Sequence, residues 1–396
     1  MDPYVPNQRT QLIETARGDT TGSGYVNLPL QHASTYSFRS VEDYQRALKT
    51  TQIYGEEKYA RIDLPSVVAF EKAMAELEGG FAARATSSGL SAISTALLAV
   101  AEPGCHILMP KNVYLSTISF CEKFLRAKLG VDVEYYDPMN AAQVIGLFRE
   151  ETQILYLEAP GSYTFEVPDL ETLIKAADEE GICTIADNTW SGSIFLKPMA
   201  LGCDIVVSSA SKYICGHSDA ILGVIVANEA HFEAIRRTAR LLGQNPSPDA
   251  VFLALRGLRT LPMRMAWHQT GAEAVCHWLS SQDAIARVFH VADPDHPGHQ
   301  TWRTHFSGYS GLFGIEFASH IPIAQVHKFI DQLKLFRLGS SWGGFESLII
   351  PTFPEDFPAD HPASSGRLCR IHVGLEDPED LIGDLEHSLT LIQEHA

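Results

Sequence analysis

The stretch Ile205-Val206-Val207-Ser208-Ser209-Ala210-Ser211-Lys212-Tyr213 decides how this chain is read. Its apolar opening is too short for a helix, and the abrupt change to hydroxyls and a lysine marks the carboxyl end of a buried strand. Six other short runs have the same form: Phe81 to Ser87, His106 to Pro110, Val131 to Tyr136, Ile154 to Glu158, Cys183 to Asp187 and Ile221 to Ala227. Helical patterns separate them, so the chain predicts an α/β fold with a mainly parallel seven-stranded sheet covered on both faces. In such sheets ligands bind beyond the carboxyl ends of the strands.

Outward from this sheet, residues 1–60 lack a sustained period and read as an N-terminal arm, leaving 61–260 as the large domain. Downstream, a helix entered through Pro262 and running from about Met263 to Leu279 is predicted to bridge to a smaller C-terminal α/β domain, 261–396. Met263, Met265 and Trp267 on that helix read as interdomain core. Gly311 to Phe317, Leu348 to Ile350 and Arg370 to Val373 read as strands of the smaller domain. A last helix should run from Pro378 to about Ile392, with Asp377 as N-cap and Leu381, Leu385 and Leu389 on one face.

Composition narrows the function. The 48 acidic against 30 basic residues leave a formal charge of −18, which argues against binding nucleic acid, whose phosphates demand clustered Lys and Arg. Seven widely spaced cysteines, an odd number, suggest buried free thiols in a reducing compartment. Met1-Asp2-Pro3-Tyr4 lacks the start of a signal peptide, and no run of ~20 apolar residues is present, so a cytoplasmic, non-membrane protein is expected. His290, His296, His299 and His305 fall in a loop rich in Asp, Pro and Gly, without a helical pair or a Cys partner. They are expected to be solvated, with no metal.

Three strand ends carry chemistry. Lys212, just past a buried strand, can be partly desolvated, and a neutral amine condenses with an aldehyde to a Schiff base. Asp187, ending Cys183-Thr184-Ile185-Ala186, can pair with a protonated pyridine nitrogen. Ser87-Ser88-Gly89-Leu90, at a strand-to-helix turn, offers backbone amides to a phosphate, with Ser209 and Ser211 as hydroxyl donors. Each has a plainer reading: a surface lysine, an Asp capping a loop, an ordinary N-cap. Together they match what pyridoxal 5'-phosphate (PLP) requires.

In these residues the chain resembles the PLP enzymes of cysteine and methionine metabolism, and among them the bacterial cystathionine β-lyases. The resemblance rests on Glu76-Leu77-Glu78-Gly79-Gly80, Glu158-Ala159-Pro160-Gly161-Ser162, Asp187-Asn188-Thr189-Trp190, Ser211-Lys212-Tyr213, Gly216-His217-Ser218-Asp219, Arg256-Gly257-Leu258-Arg259, Ser341-Trp342-Gly343-Gly344-Phe345-Glu346 and Gly374-Leu375-Glu376-Asp377. They occur in family order over nearly the whole chain. It implies the aspartate-aminotransferase-like PLP fold, fold type I. Lys212 would hold the cofactor and move the Cα proton, Asp187 would tune the ring, and Tyr114 would stack on it. Gly89, Leu90, Ser209 and Ser211 would hold the phosphate, joined by Tyr59 and Arg61 from a neighbouring subunit of a homodimer, usually doubled to a tetramer. Arg370 would grip the substrate α-carboxylate beside Ser341 and Trp342.

The implied reaction is elimination of the side chain of a cysteine-derived amino acid, giving pyruvate and ammonia. The alternative is a γ-lyase or γ-replacement enzyme acting on a homoserine- or methionine-type amino acid. Departures from the family pattern bear on that choice. Where the family has Tyr-Gly-Arg-x-Gly-Thr, this chain has Tyr59-Ala60-Arg61-Ile62-Asp63-Leu64, with Glu56, Glu57 and Lys58 upstream. Ser340 stands where a tyrosine is usual and Ser119 where an acid is expected. Asp63 is therefore expected at the mouth of the site, favouring a substrate with a cationic distal end such as canavanine.

Overall fold

The seven apolar runs all become strands in the computed structural model, which describes residues 7–15, 24–49, 53–54, 59–357 and 362–393. They are β1 (Ala82–Thr86), β2 (His106–Pro110), β3 (Asp132–Tyr136), β4 (Thr152–Glu158), β5 (Cys183–Asp187), β6 (Ile205–Ser208) and β7 (Gly223–Ala227). They form one sheet in the order β1-β7-β6-β5-β4-β2-β3, parallel except where β7 meets β1 and β6. Every residue of β1, β2, β6 and β7 is buried, which is why these strands read as apolar or small-residue runs, broken only by Arg84 in β1 and His106 in β2. The winding direction reverses between β2 and β4, so a crevice opens beyond their carboxyl ends.

The smaller sheet has the order β10-β11-β12-β9-β8, built from β8 (Ile285–Phe289), β9 (Leu312–Phe317), β10 (Arg337–Leu338), β11 (Leu348–Pro351) and β12 (Leu368–His372). The last three expected strands are β9, β11 and β12. β8 and the two-residue β10 were not singled out in the sequence: β8 is interrupted by Arg287, with Ala286 and Arg287 exposed, and β10 is exposed. The closing helix Pro378–Gln393 buries Leu381, Leu385 and Leu389, and the Asp377 carboxylate accepts the Glu379 N–H at 2.9 Å.

The bridging helix corrects the sequence reading. It runs from Pro248 to Ser280, with Pro248 in its first turn and Pro262 in its interior. The expected domain boundary at 260 thus lies within one helix. Proline removes one ladder hydrogen bond. Beside that gap the Gly257 carbonyl accepts from Thr260 Oγ1 (3.2 Å) and Arg264 Nη2 (2.8 Å), while Leu258, Leu261 and Met265 are buried. Packing outweighs propensity here. Met265 is core, but Met263 is 73% exposed and Trp267 43% exposed, so those two are not.

The histidine loop also departs from expectation. His290 and His296 are buried, His290 lying edge-on to the Tyr309 ring at 4.5 Å, and burial lowers both their pKa values. A loop folded onto the smaller sheet takes its histidines inward whatever its polarity. All seven cysteines are free and buried. Among the described residues no helix is long and apolar enough to cross a membrane.

Of the N-terminal arm, the helix Gln8–Thr15 buries Leu12 in the core of its own chain. The helix Val41–Lys49 buries none of its residues.

Candidate active site

Lys212 stands one turn beyond β6, where the backbone folds back through Lys212 N–H to Ser209 O (3.1 Å) and Gly216 N–H to Lys212 O (2.8 Å). Its side chain enters a cavity of about 820 Å³ at the carboxyl ends of the strands. There Nζ donates to Ser341 Oγ at 3.3 Å and lies 5.6 Å from the centre of the Trp342 ring. Desolvation, and then the Arg370 charge, lower the lysine's pKa, while Asp187 opposes them. The net shift is toward the neutral amine a nucleophile or base needs.

The carboxyl ends of β4 and β5 bring Glu158 opposite Asp187 in register. Asp187 Oδ1 accepts from Thr189 N–H (2.9 Å) and Thr189 Oγ1 (2.5 Å), and Thr189 Oγ1 in turn accepts the Ser209 N–H at 2.9 Å. One short chain of hydrogen bonds therefore ties Asp187 to the turn preceding Lys212. Glu158 accepts the Tyr114 N–H (3.0 Å) and the Ser162 hydroxyl (2.8 Å). Glu158 thereby fixes where Tyr114, just past β2, leaves the backbone to line the cavity.

An anion cradle adjoins them at the start of the helix Gly89–Val100. Ser88 and Ser91 form a reciprocal capping box, and the intrahelical ladder begins with Ala92 N–H to Ser88 O at 3.0 Å. The first-turn amides of Gly89 and Leu90 have no intrahelical acceptor and lie at the cavity wall. A Cβ on Gly89 would stand 2.6 Å from Ser209 Cβ, so only glycine lets the helix start approach the Ser209 turn this closely. Ser211 also lines the cavity. Its hydroxyl, however, donates to Leu222 O (3.2 Å) and accepts from Leu222 N–H (2.9 Å), so it braces the turn.

Arg370, on β12, reaches the far wall of the cavity, where Nη2 donates to Ser340 O at 2.7 Å. Ser340, Ser341 and Trp342 line the same wall. This loop is pressed against the lysine: a Cβ on Gly343, whose φ is 81°, would lie 3.0 Å from Lys212 Cα. The Gly343 N–H is held by His372 Nε2 at 3.0 Å.

The remaining expected site residues lie elsewhere. Asp63 is 1% exposed and pairs with Arg84 (3.4 Å), which also faces Glu71 (3.5 Å) and donates to Ile62 O (2.6 Å). It does not line the cavity, and its carboxylate belongs to a buried cluster. The acid at this position therefore does not stand at the mouth of the site. Glu56, Glu57 and Lys58 lie outside the described residues. Ser119, half-buried, is likewise absent from the cavity wall. Tyr59 is 44% exposed, with Arg61 5.6 Å from its ring centre, and neither lines this chain's own cavity.

Residues 9–390 match the family described as Cys/Met metabolism PLP-dependent enzyme. The chain belongs to that family. It is 37% identical over 383 residues to cystathionine β-lyase of Haemophilus influenzae, covering 95% of this chain and 96% of that protein. It is equally identical over 384 residues, with the same coverage, to cystathionine β-lyase MetC of Escherichia coli. A solved structure of cystathionine γ-lyase from Lactobacillus plantarum, complexed with L-serine, superposes with a TM-score of 0.89 at 29% identity, covering 98% of this chain and all of the other.

The residues present suit the PLP that this family requires. A partly desolvated lysine, a carboxylate with one oxygen engaged by Thr189, and two first-turn amides converge on one cavity. Several lining residues of this Cys/Met family member were not singled out in the sequence: Glu158, Ser162, Thr189, Asp219 and Glu346. All fall inside the stretches that resemble the family; for Glu158, Thr189 and Glu346 a polar residue within two positions of a strand end was the available signal, whereas Ser162 and Asp219 had only their place in those stretches. Tyr163, which also lines the cavity, had none.

Proposed function

We propose that this PLP-dependent enzyme is a carbon–sulfur β-lyase of the cystathionine β-lyase type, eliminating the side chain of a cysteine-derived amino acid to pyruvate and ammonia. The observation that carries the proposal is the placement of Lys212 Nζ, 3.3 Å from Ser341 Oγ, in one cavity with Asp187 and Arg370. Bound PLP supplies an aldehyde for the substrate's amino group and a ring that accepts electrons from Cα. Lys212 holds the cofactor at rest and moves the Cα proton in turnover, a role its lowered pKa suits. Asp187 keeps a proton on the ring nitrogen, Tyr114 covers the ring, and Gly89, Leu90 and Ser209 receive the phosphate. Arg370, with Ser341 and Trp342 beside it, grips the α-carboxylate.

Tyr59 and Arg61 complete the phosphate site of a neighbouring subunit. The exposure of Tyr59, and the absence of both residues from this chain's own cavity, support that reading, as do the exposed Val41, Tyr44 and Leu48 of the arm. The working unit is then a homodimer, doubled to a tetramer. Seven free thiols support a cytoplasmic setting.

A second reading, γ-elimination or γ-replacement on a homoserine- or methionine-type amino acid, uses the same lysine. It is favoured by the serine at position 340 of the cavity wall. Should the distal end be cationic, Asp219 and Glu346 are the acids on the wall outside the Glu158 and Asp187 pair. Mass spectrometry of the keto-acid products from cystathionine, methionine, homoserine derivatives and canavanine separates the readings. Pyruvate from cystathionine supports the β-lyase; a four-carbon keto acid, or turnover of canavanine alone, overturns it.

A further inference from the structure

Tyr163 has a φ of 70°, in the left-handed region that bulky side chains rarely occupy, and Phe165 follows with 58°. Strain of this kind persists only where the surroundings over-determine it, and it concentrates at functional positions. Here the surroundings are explicit. Ser162 N–H donates to Asn112 O (2.7 Å) and Gly161 N–H to Glu166 O (2.9 Å). Asn112 Nδ2 and Thr164 Oγ1 both donate to Glu166 Oε2, at 2.8 and 2.7 Å.

The segment is pressed onto the strand pair that carries Arg370. Gly314 of β9 pairs in register with Arg370 of β12, and a Cβ on Gly314 would lie 2.6 Å from the Tyr163 carbonyl oxygen. This approach puts the Tyr163 ring 5.5 Å from the Arg370 guanidinium carbon, with Phe357 edge-on to the same ring at 5.1 Å. The guanidinium is therefore held by the Ser340 carbonyl and by an aromatic face. A cation held over an aromatic ring and bonded at one nitrogen is restrained in orientation.

We infer that Tyr163 is a substrate-positioning residue: its ring holds the Arg370 fork in the orientation that receives the α-carboxylate. The inference rests on the assignment of Arg370 to that carboxylate, but not on which bond the enzyme breaks.

The test uses PLP-loaded enzyme and glycine, an amino acid without a leaving group, with binding read from the visible absorption of the cofactor. Tyr163→Phe keeps the ring. Tyr163→Asn and Tyr163→Gly remove it but tolerate the left-handed backbone, so both should fold. Tyr163→Phe should bind glycine within about twofold of wild type, and the other two about tenfold more weakly. On a turned-over substrate the loss should fall on KM, with kcat within about threefold. In an Arg370→Lys background, Tyr163→Asn should add less than about twofold, because the two residues act through one interaction.

Wild-type binding by Tyr163→Asn, or a loss that adds in full to that of Arg370→Lys, overturns the inference. Unchanged glycine binding by Arg370→Lys alone overturns both the Arg370 assignment and the inference built on it. If the glycine pattern appears but cystathionine yields no pyruvate, the β-lyase reading fails and the role of Tyr163 stands.

Discussion

Glu158 and Asp187 face each other in register across the carboxyl ends of β4 and β5, a pair of carboxyl groups at the foot of the cavity. Burial first, and then the Asp187 charge, push the Glu158 carboxyl from 4.5 up to about 8. Burial raises Asp187 as well. Because the Glu158 pKa is higher folded than unfolded, the native state binds the extra proton between these values. The contribution of Glu158 to stability is thus greatest at the acid end of the window and is lost as pH rises toward about 8. Glu158→Gln in the apoprotein should flatten the fall in urea midpoint between about pH 5 and about pH 8. Glu71, Glu78 and Asp187, also raised by burial, slope the same way. The buried His290 and His296, lowered by burial, slope the opposite way, so the variant is compared with wild type rather than with zero slope. A slope identical to wild type would show that Glu158 does not titrate there.

Lys212→Ala should remove both the Cα base and the covalent anchor of PLP. Turnover should fall by about 10²–10⁴-fold or more, and the visible absorption of the bound cofactor should shift to that of PLP held without a lysine. Retained turnover with an unaltered spectrum would assign the chemistry to another group.

Gly89→Ala tests the anion cradle. The added methyl would stand 2.6 Å from Ser209 Cβ and 2.7 Å from Ser209 Oγ, so the helix start and the Ser209 turn must part. PLP affinity, measured by equilibrium dialysis against apoprotein, should weaken about tenfold, in line with the roughly 1–3 kcal/mol cost of overpacking. Wild-type affinity would exclude Gly89 from the phosphate site.

Asp63→Ala should leave discrimination between cationic and neutral side chains untouched, since Asp63 is buried against Arg84 and away from the cavity. It should instead cost about 1–3 kcal/mol in a denaturant titration, because Arg84 loses one buried partner and keeps Glu71. A change in kcat/KM ratio between the two substrate types, with stability unchanged, would return Asp63 to the site.

Tertiary context overrode local signals at particular places. Pro262 reads as a helix start, yet a 33-residue helix continues through it because its flanking side chains are buried on both sides of the gap. β8, interrupted by Arg287, carries no strand pattern in the sequence, and pairing with β9 supplies its hydrogen bonds. His290 and His296 read as solvated, but the loop carrying them is folded inward.

What the sequence by itself determined was the set of parallel strands and the chemistry at their ends. A strand covered on both faces is mostly apolar, and an abrupt change to polar residues marks where it emerges, so Lys212, Asp187 and Ser88-Gly89 were visible in one dimension. Only the tertiary structure decided which side chains meet across distant segments. Asp63 is one acid among several in the sequence, and its role depends on Arg84 arriving beside it within 3.4 Å. Tyr163 carries no motif, and its place on Arg370 follows from the backbone path over Gly314. Pairings of this kind are settled by packing, because the electrostatic and aromatic contacts that define them act over a few ångströms of space and are indifferent to separation along the chain.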